Sequence, residues 1–93
     1  MIGTHKTTIA RHGNWLDVRY HATDVASRHD AGRIVLRTGG WRTVTTRKRM
    51  NQALAMWGSP YRVYQKDFAW FVAPALGSQP YIPFDGDTLE LPA

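Results

Sequence analysis

Apolar residues recur at helical spacing in one stretch of this 93-residue chain. Four side chains at positions i, i+3, i+4 and i+7 share one helix face: Met50, Ala53, Leu54 and Trp57. Thr45 or Thr46 can cap the N-terminus of this helix, and Gly58 can end it. The pattern predicts one central helix over about Thr46–Trp57.

Before the helix, apolar and polar residues alternate, which is typical of half-buried strands. Four strands are predicted: an edge strand at Thr7–Ala10, a strand over Trp15–His21, a short strand at Val25 and a strand over Arg33–Arg37. In the last of these strands, Ile34 and Leu36 point inward and Val35 points outward.

After the helix, two β-rich runs, Tyr61–Gln65 and Phe68–Ala73, flank Lys66-Asp67 and predict a hairpin. The second run is apolar on both faces, so we expect a central strand covered by the helix. An irregular proline-rich loop and a turn at Asp85-Gly86-Asp87 lead to a last short strand, Thr88–Leu91.

Together these elements predict a single domain over residues 1–93 with an α+β fold. The expected architecture is a twisted, mostly antiparallel sheet of five to seven short strands with the helix packed on one face. The sequence has no cysteine, which excludes disulfides and thiolate metal sites. It opens Met-Ile-Gly-Thr-His-Lys without an apolar h-region, and no later apolar run could span a bilayer. We expect a cytoplasmic protein with no membrane contact.

The net charge of +5 is unevenly distributed along the chain. Residues 31–66 carry eight Lys or Arg and no Asp or Glu, whereas residues 67–93 carry four Asp or Glu and no Lys or Arg. Such a basic block suggests a surface for nucleic acid, an acidic protein or a phosphorylated small molecule. The alternative is a solvated basic surface that the acidic end partly neutralises.

Three consecutive cations, Arg47, Lys48 and Arg49, fall in the first turn of the predicted helix. Helix N-termini carry partial positive charge and unpaired N–H groups, so cations there are unfavourable by a few tenths of a kcal/mol each. An anion arriving from outside would offset this repulsion. We therefore predict an anion-binding site at the helix start, to which Arg42 and the cap threonines also contribute.

Thr38-Gly39-Gly40 precedes this helix and resembles backbone nests that hold phosphates. The spacing is neither that of a P-loop nor that of a dinucleotide fingerprint. An ordinary strand-to-helix turn that requires positive φ explains the two glycines equally well. The next residue, Trp41, either shields the turn or offers an exposed stacking face.

A second candidate surface lies on the predicted hairpin, where Tyr64 stands between Arg62 and Lys66 on one strand face. Aromatic rings flanked by phosphate-binding cations are how sheet surfaces hold single-stranded nucleic acid. The alternative for Tyr64 is a partly buried ring with its hydroxyl at the rim.

Catalytic and metal chemistry find little support in the residue pattern. The four histidines lack metal-ligand spacing, and Asp85 and Asp87 lack the further ligands of a calcium loop, so a turn is the better interpretation. No nucleophile–base pair can be assembled from the serines and histidines. We expect a protein that is not an enzyme and that uses no cofactor or metal.

The central part of the chain resembles a set of small proteins from tailed bacteriophages. The resemblance covers roughly residues 32–72, extends weakly to Pro83-Phe84, and is carried by these stretches: Thr38-Gly39-Gly40-Trp41, Thr43, Thr45-Thr46, Arg49-Met50-Asn51-Gln52, Val63-Tyr64-Gln65 and Trp70-Phe71-Val72. It implies expression inside an infected bacterium, where so small a protein is more often an accessory binder than a catalyst. It implies no activity, cofactor or catalytic residue.

Three functions remain open at this point. The first is nucleic-acid binding, with Arg42 and the three helix cations on phosphates and Tyr64 or Trp41 on bases. The second is sequestration of a phosphorylated nucleotide signal between the Gly39-Gly40 turn and the helix start. The third is inhibition of a host protein by direct contact. The oligomeric state also stays open, since an edge strand could pair with a second copy.

Overall fold

The computed structural model describes residues 7–74 and 81–91, in which one helix and eight strands are formed. In chain order these are β1 (Thr7–His12), β2 (Trp15–Tyr20), β3 (Thr23–His29), β4 (Ile34–Arg37), α1 (Val44–Met56), β5 (Tyr61–Lys66), β6 (Ala69–Pro74), β7 (Ile82–Pro83) and β8 (Thr88–Glu90). The predicted α+β fold with mostly antiparallel strands is confirmed. The strands form two sheets, however, and not one.

The larger sheet has five antiparallel strands in the order β1-β2-β3-β4-β8. A row of apolar residues crosses it, in which Val18 pairs with Ala26, Ala26 pairs with Leu36, and Leu36 pairs with Leu89 of the last strand. The first three are fully buried, and Leu89 is half-buried. The alternation in β2 and β4 predicted this inward face correctly. Around Val25 the predicted short strand is a full strand of seven residues.

Val35 differs from the prediction, because it is buried although it points to the other face of β4. Its strand lies between β3 and β8, so neighbouring side chains cover both faces. Arg37 reaches from the end of β4 to Ser27 Oγ at 2.9 Å, and Ser27 is the cross-strand partner of Val35. A long side chain thus shields the outward position.

The smaller sheet has three antiparallel strands in the order β5-β6-β7, so the apolar run in β6 is central, as predicted. The hairpin turn was misplaced by one residue. Lys66 is the last residue of β5, and the turn consists of Asp67 and Phe68, with φ of 52° and 67°. Two consecutive left-handed residues match the twist of a tight hairpin, although Asn-Gly is the preferred pair there.

Helix α1 begins two residues earlier than predicted, and its N-cap is Thr43, not Thr45 or Thr46. The Thr43 Oγ1 atom accepts the Thr46 backbone N–H at 3.1 Å. Arg47 is therefore the fourth helical residue, and the basic triplet lies in the second turn. The dipole repulsion invoked for it is correspondingly weaker, since the effect falls off within the first turn. Gly58, with φ of 70°, ends the helix as predicted.

The helix connects the two sheets, because it packs against β2 and β3 on one side and β5 on the other. Its residues Met50, Ala53 and Leu54 are fully buried in one core cluster with residues of both sheets. Burying a Leu or Met side chain contributes about 1.5–3 kcal/mol. Trp57 packs against this cluster while remaining half-buried.

The C-terminal strand closes the larger sheet beside the helix entry. Thr38 is fully buried and donates its hydroxyl to Asp87 Oδ1 at 2.9 Å. Where a turn was predicted at Asp85-Gly86-Asp87, the chain bends at Gly86-Asp87 just before β8. The middle of the proline-rich loop, residues 75–80, lies outside the described residues. Within the described part of the chain, no helix has both the length and the apolar character needed to cross a membrane.

Candidate functional site

Arg49, one of the predicted anion ligands, is buried and engaged inside the protein, with 7% of its surface exposed. Its Nε donates to Thr7 Oγ1 and its Nη1 to Gln52 Oε1, both at 3.0 Å, and its Cζ lies 5.9 Å from the centre of the Tyr20 ring. The buried helix positions recur at i, i+3, i+4, i+7 and i+8: Thr46, Arg49, Met50, Ala53 and Leu54. Arg49 therefore belongs to the inward face and fastens the helix to the larger sheet.

Arg47 and Lys48 lie on the outer side of the helix. The half-buried Arg47 donates from Nη1 to Gln65 Oε1 on β5 at 2.7 Å, and Lys48 is exposed. Among the described residues, neither forms an ion pair with a carboxylate. Two of the four acidic residues in the C-terminal part of the chain are used elsewhere, since Glu90 pairs with Arg33 and Asp87 accepts a hydrogen bond from Thr38. The positive charge of this helix turn is thus not neutralised from within the described structure.

The outer face of the smaller sheet carries a continuous row of aromatic rings. Tyr64 and Phe71 are directly opposite each other on β5 and β6 and stack with centroids 5.6 Å apart at 25°. Phe71 in turn meets Tyr81 edge-on at 5.4 Å. Tyr64 and Tyr81 are 36% and 56% exposed. We call these three residues the aromatic face.

Cations flank the aromatic face along β5. Arg62 and Lys66 alternate with Tyr64 and share its face, as the sequence predicts. Arg62 donates from Nη1 to the carbonyl oxygens of Ser59 and Tyr61 at 2.7 and 2.6 Å, and Lys66 is exposed at the hairpin end of the strand. The Arg47–Gln65 bond brings the helix cations to the same strand. Four cations make up what we call the basic edge: Arg47, Lys48, Arg62 and Lys66.

Asn51 holds the helix against β5, a role that sequence reasoning missed. Its Nδ2 donates to the Val63 carbonyl at 2.9 Å, and its Oδ1 accepts the Val63 N–H at 2.7 Å. The side-chain amide thus pairs with the strand as another strand would, and it occupies the outer hydrogen-bonding edge of β5. The sequence feature that could have indicated this contact is the position of Asn51 in the Arg49-Met50-Asn51-Gln52 stretch, next to the apolar helix positions.

The hairpin tip presents Phe68 to solvent, with 94% of the residue exposed. A bulky side chain in the left-handed region is energetically unfavourable, and such strain recurs at functional sites. Arg42, another predicted ligand, packs against the inner rings of the same sheet, with its Cζ 5.2 Å from Trp70 and 5.6 Å from Phe84. It also donates to the Gly86 carbonyl at 2.7 Å.

The Gly39-Gly40 turn has positive φ at both residues, 61° and 82°. The Gly40 N–H is bound by Thr38 Oγ1 at 3.2 Å and the Trp41 N–H by the Thr38 carbonyl at 2.9 Å. These two N–H groups point into the turn, so they do not form an open nest for a phosphate. Trp41 is 66% exposed, which favours the stacking interpretation over a shield in the core.

A cavity of about 430 Å³ opens between this turn, the helix start and the β2–β3 turn. Its walls are aromatic and hydroxyl-bearing residues with a few small apolar ones: Tyr20, His21, Ala22, Thr23, Val25, Thr38, Trp41, Thr43 and Thr46. Thr45, a predicted ligand, does not line it. Within residues 7–74 and 81–91, no three His, Asp or Glu side chains are grouped as a metal site requires.

Fold and surface together define a small α+β protein in which one helix joins two antiparallel sheets and leaves a basic, aromatic face uncovered. The family described as Kyanoviridae Gp96 protein matches residues 2–90, and the chain belongs to this phage protein family. The match extends well beyond residues 32–72, on which the phage resemblance was based. No curated protein and no solved structure matches the chain.

Proposed function

We propose that this phage protein is a non-enzymatic accessory factor that binds single-stranded nucleic acid through the aromatic face and the basic edge. One observation carries the proposal: Tyr64, which shares its face of β5 with Arg62 and Lys66, is connected through Phe71 to Tyr81 by ring contacts. Bases stack on exposed rings, while cations along the same strand meet the phosphates.

Single strands suit this surface better than a duplex does. Base faces are free to stack on aromatic side chains only when they are not already stacked within a duplex. Side chains two residues apart on a strand are separated by about 6.6–6.8 Å, so Arg62, Tyr64 and Lys66 alternate ring and charge at regular intervals. The basic edge would follow the sugar–phosphate backbone beside the rings.

The four cations of the basic edge also supply a quantitative expectation. Each phosphate contact to a single strand contributes about −0.7 to the slope of log K against log salt. Four contacts therefore predict a slope of about −3. Arg49 is left out of this count because its guanidinium is buried on Thr7 and Gln52.

Fluorescence anisotropy with labelled oligonucleotides of about 12 nucleotides, as single-stranded DNA, single-stranded RNA and duplex DNA, tests the proposal at two salt concentrations. We expect single strands to bind more tightly than the duplex. Tyr64→Ala should weaken single-strand binding about tenfold, since stacking on one ring contributes about 1–3 kcal/mol. Ile9→Ala is the matched control, because Ile9 is an exposed apolar strand residue of the larger sheet.

Two results would overturn this function: an affinity that ignores salt, or equal binding by the wild type and Tyr64→Ala. A preference for the duplex would contradict the stacking geometry as well.

The exposed Phe68 favours a second candidate, direct inhibition of a host protein, because aromatic residues often anchor protein interfaces. A host protein that is captured after nuclease treatment and lost with Phe68→Ala would support this candidate. Capture that nuclease abolishes would instead indicate a nucleic-acid bridge.

A further inference from the structure

We propose that the cavity beside the helix start binds a neutral planar heterocycle, the nucleobase of a nucleoside or nucleotide. At about 430 Å³ it falls within the usual range for small-ligand sites. None of its lining residues belongs to the aromatic face or the basic edge, so this proposal and the proposed function can fail separately.

Three of the cavity walls are aromatic. Trp41 is largely exposed at the opening, and Tyr20 and His21 meet edge-on with centroids 4.3 Å apart. A flat ring that enters between them can stack on the indole, and base–aromatic stacking tolerates every base because each has a π-face. The shape and composition of the walls therefore favour a planar ligand.

The hydroxyl groups of Thr43 and Thr46 at the helix start have one hydrogen-bond donor that is not used between them. Thr43 Oγ1 accepts the Thr46 backbone N–H, and the two hydroxyl oxygens lie 3.0 Å apart. One of their two hydrogens makes the bond between them, and the other has no second acceptor among the described residues. Either hydroxyl can be the donor of that bond, so the remaining hydrogen lies on Thr43 or on Thr46. Both residues line the cavity, where a carbonyl oxygen or ring nitrogen of a ligand can accept this hydrogen.

The charge of the walls selects the base and not the phosphate. The lining includes no Lys, Arg, Asp or Glu. The Gly40 and Trp41 N–H groups are occupied by Thr38, whose own hydroxyl is held by Asp87. A phosphate would find no Lys or Arg and no open nest here, whereas a base carries the neutral acceptors that the hydroxyl pair can bind.

Two parts of the wall are also held in place before a ligand arrives. A Cβ added to Gly39 would overlap the Thr23 side chain, which shows how closely the glycine turn approaches the β2–β3 turn. On the opposite side, Thr43 and Thr46 are fixed by the cap of the helix. A preformed site loses little conformational entropy on binding.

Titration calorimetry with the four ribonucleosides and their 5′-monophosphates, at low and high salt, tests this site. We expect at least one nucleoside to bind, with its monophosphate within about threefold and no salt dependence. Trp41→Ala should weaken binding about tenfold. Phe68→Ala is the matched control, since it removes another exposed ring outside the cavity.

A second variant keeps the test independent of the indole. Ala22 is exposed on the opposite wall, so Ala22→Leu should narrow the opening and cause a similar loss. Failure of every nucleoside and monophosphate to bind at millimolar concentration would overturn the proposal. Binding of monophosphates alone, weakened by salt, would also overturn it by indicating a phosphate site.

The source of the base is resolved by adding the single-stranded oligonucleotide. If Trp41→Ala weakens both nucleoside and oligonucleotide binding, the cavity takes a base of the strand. If it weakens nucleoside binding alone, the ligand is a free nucleoside or nucleotide. Tyr64→Ala should leave nucleoside binding unchanged in either case, since Tyr64 lies outside the cavity.

Discussion

The two sheets of this protein use their charged residues in different ways. On the larger sheet, three cations pair with carboxylates at 2.9–3.0 Å: Arg11 with Asp30, Arg19 with Asp24 and Arg33 with Glu90. Arg37 of the same sheet is instead held by the neutral Ser27 hydroxyl. On the helix and the smaller sheet, the described cations make no ion pair. Their guanidinium groups are held by neutral acceptors such as Gln65 and the carbonyls of Ser59 and Tyr61.

This difference matters because a neutral acceptor orients a cation without cancelling its charge. A carboxylate partner positions a cation and also neutralises its charge. The paired cations of the larger sheet therefore contribute little to the surrounding electrostatic potential. Arg47 and Arg62 are positioned and still carry a net positive field. The exposed rings of Tyr64 and Tyr81 lie in the same half of the molecule. The larger sheet therefore neutralises three of its cations with its own carboxylates, whereas the helix and the smaller sheet leave charge and rings available to a partner.

The largest expected effect on stability concerns the contact between the helix and the smaller sheet. Asn51→Ala leaves the N–H and C=O of the buried Val63 without their side-chain partner. An unsatisfied buried polar group costs about 1–3 kcal/mol, so we expect the free energy of unfolding to fall by about 2–4 kcal/mol. Urea denaturation followed by circular dichroism measures this loss.

Lys48→Ala, on the exposed side of the same helix, is the control and should change the stability little. If Asn51→Ala were as mild as Lys48→Ala, the amide could not be what holds the smaller sheet in place.

Charge reversal tests the electrostatic contrast directly. Lys66→Glu places a carboxylate on the basic edge and should weaken single-strand binding about tenfold, with a flatter salt dependence. Arg11→Glu makes the same change in net charge on the larger sheet, where the native cation is already paired. Anisotropy titrations of the two variants should therefore separate them, and equal losses would mean that net charge alone governs binding.

A smaller and opposite effect is expected at the hairpin tip. Phe68 has φ of 67°, a conformation that costs a non-glycine residue about 1–2 kcal/mol, so Phe68→Gly should stabilise the protein by about 1 kcal/mol. Thermal unfolding measures the change. Phe68→Ala keeps the unfavourable conformation and should give no such gain, so stabilisation by both variants would assign the effect to the lost ring and not to the backbone.

Much of the fold could be predicted because it depends on local periodicity. The alternation at Leu16, Val18 and Tyr20 located β2, the helical spacing of Met50, Ala53 and Leu54 located α1, and the doubly apolar run located β6. Local pattern cannot show which strands pair, however, so one sheet was predicted where two exist. It also cannot distinguish two adjacent turn positions, and the hairpin turn was misplaced by one residue.

The candidate site shows the same limit more sharply. Placing Tyr64 between Arg62 and Lys66 required only strand alternation, and the structure adds Phe71 from β6 and Tyr81 from the position just before β7. Arg49, by contrast, was taken for an anion ligand because its partner in the larger sheet is distant in sequence. The helical spacing of Arg49 from Ala53 is that of the inward face, but Thr7 lies 42 residues away, so no local pattern indicates that the guanidinium is bound there. Asn51 and its contact with Val63 were missed for the same reason.

The smallest effect belongs to the larger sheet, where Arg33 pairs with Glu90 at 3.0 Å on its exposed surface. The hydrogen bond and the charge of Arg33 lower the pKa of Glu90 below its ordinary value of 4.5, and the same contact raises the pKa of Arg33. A carboxylate with a lowered pKa in the folded state stabilises the protein above its unfolded pKa. This stabilisation is lost as the pH falls through the folded value.

Glu90→Gln should therefore lower the Tm slightly at neutral pH, and the difference from the wild type should vanish well below pH 4.5. Asp85→Asn provides the control, since Asp85 is exposed and forms no ion pair with the described residues. Thermal melts over this pH range compare the two variants. A Tm difference between Glu90→Gln and the wild type that does not change with pH would mean that the Arg33–Glu90 pair contributes through packing. The contrast between the ion-paired larger sheet and the unpaired smaller sheet would then not be a difference in charge.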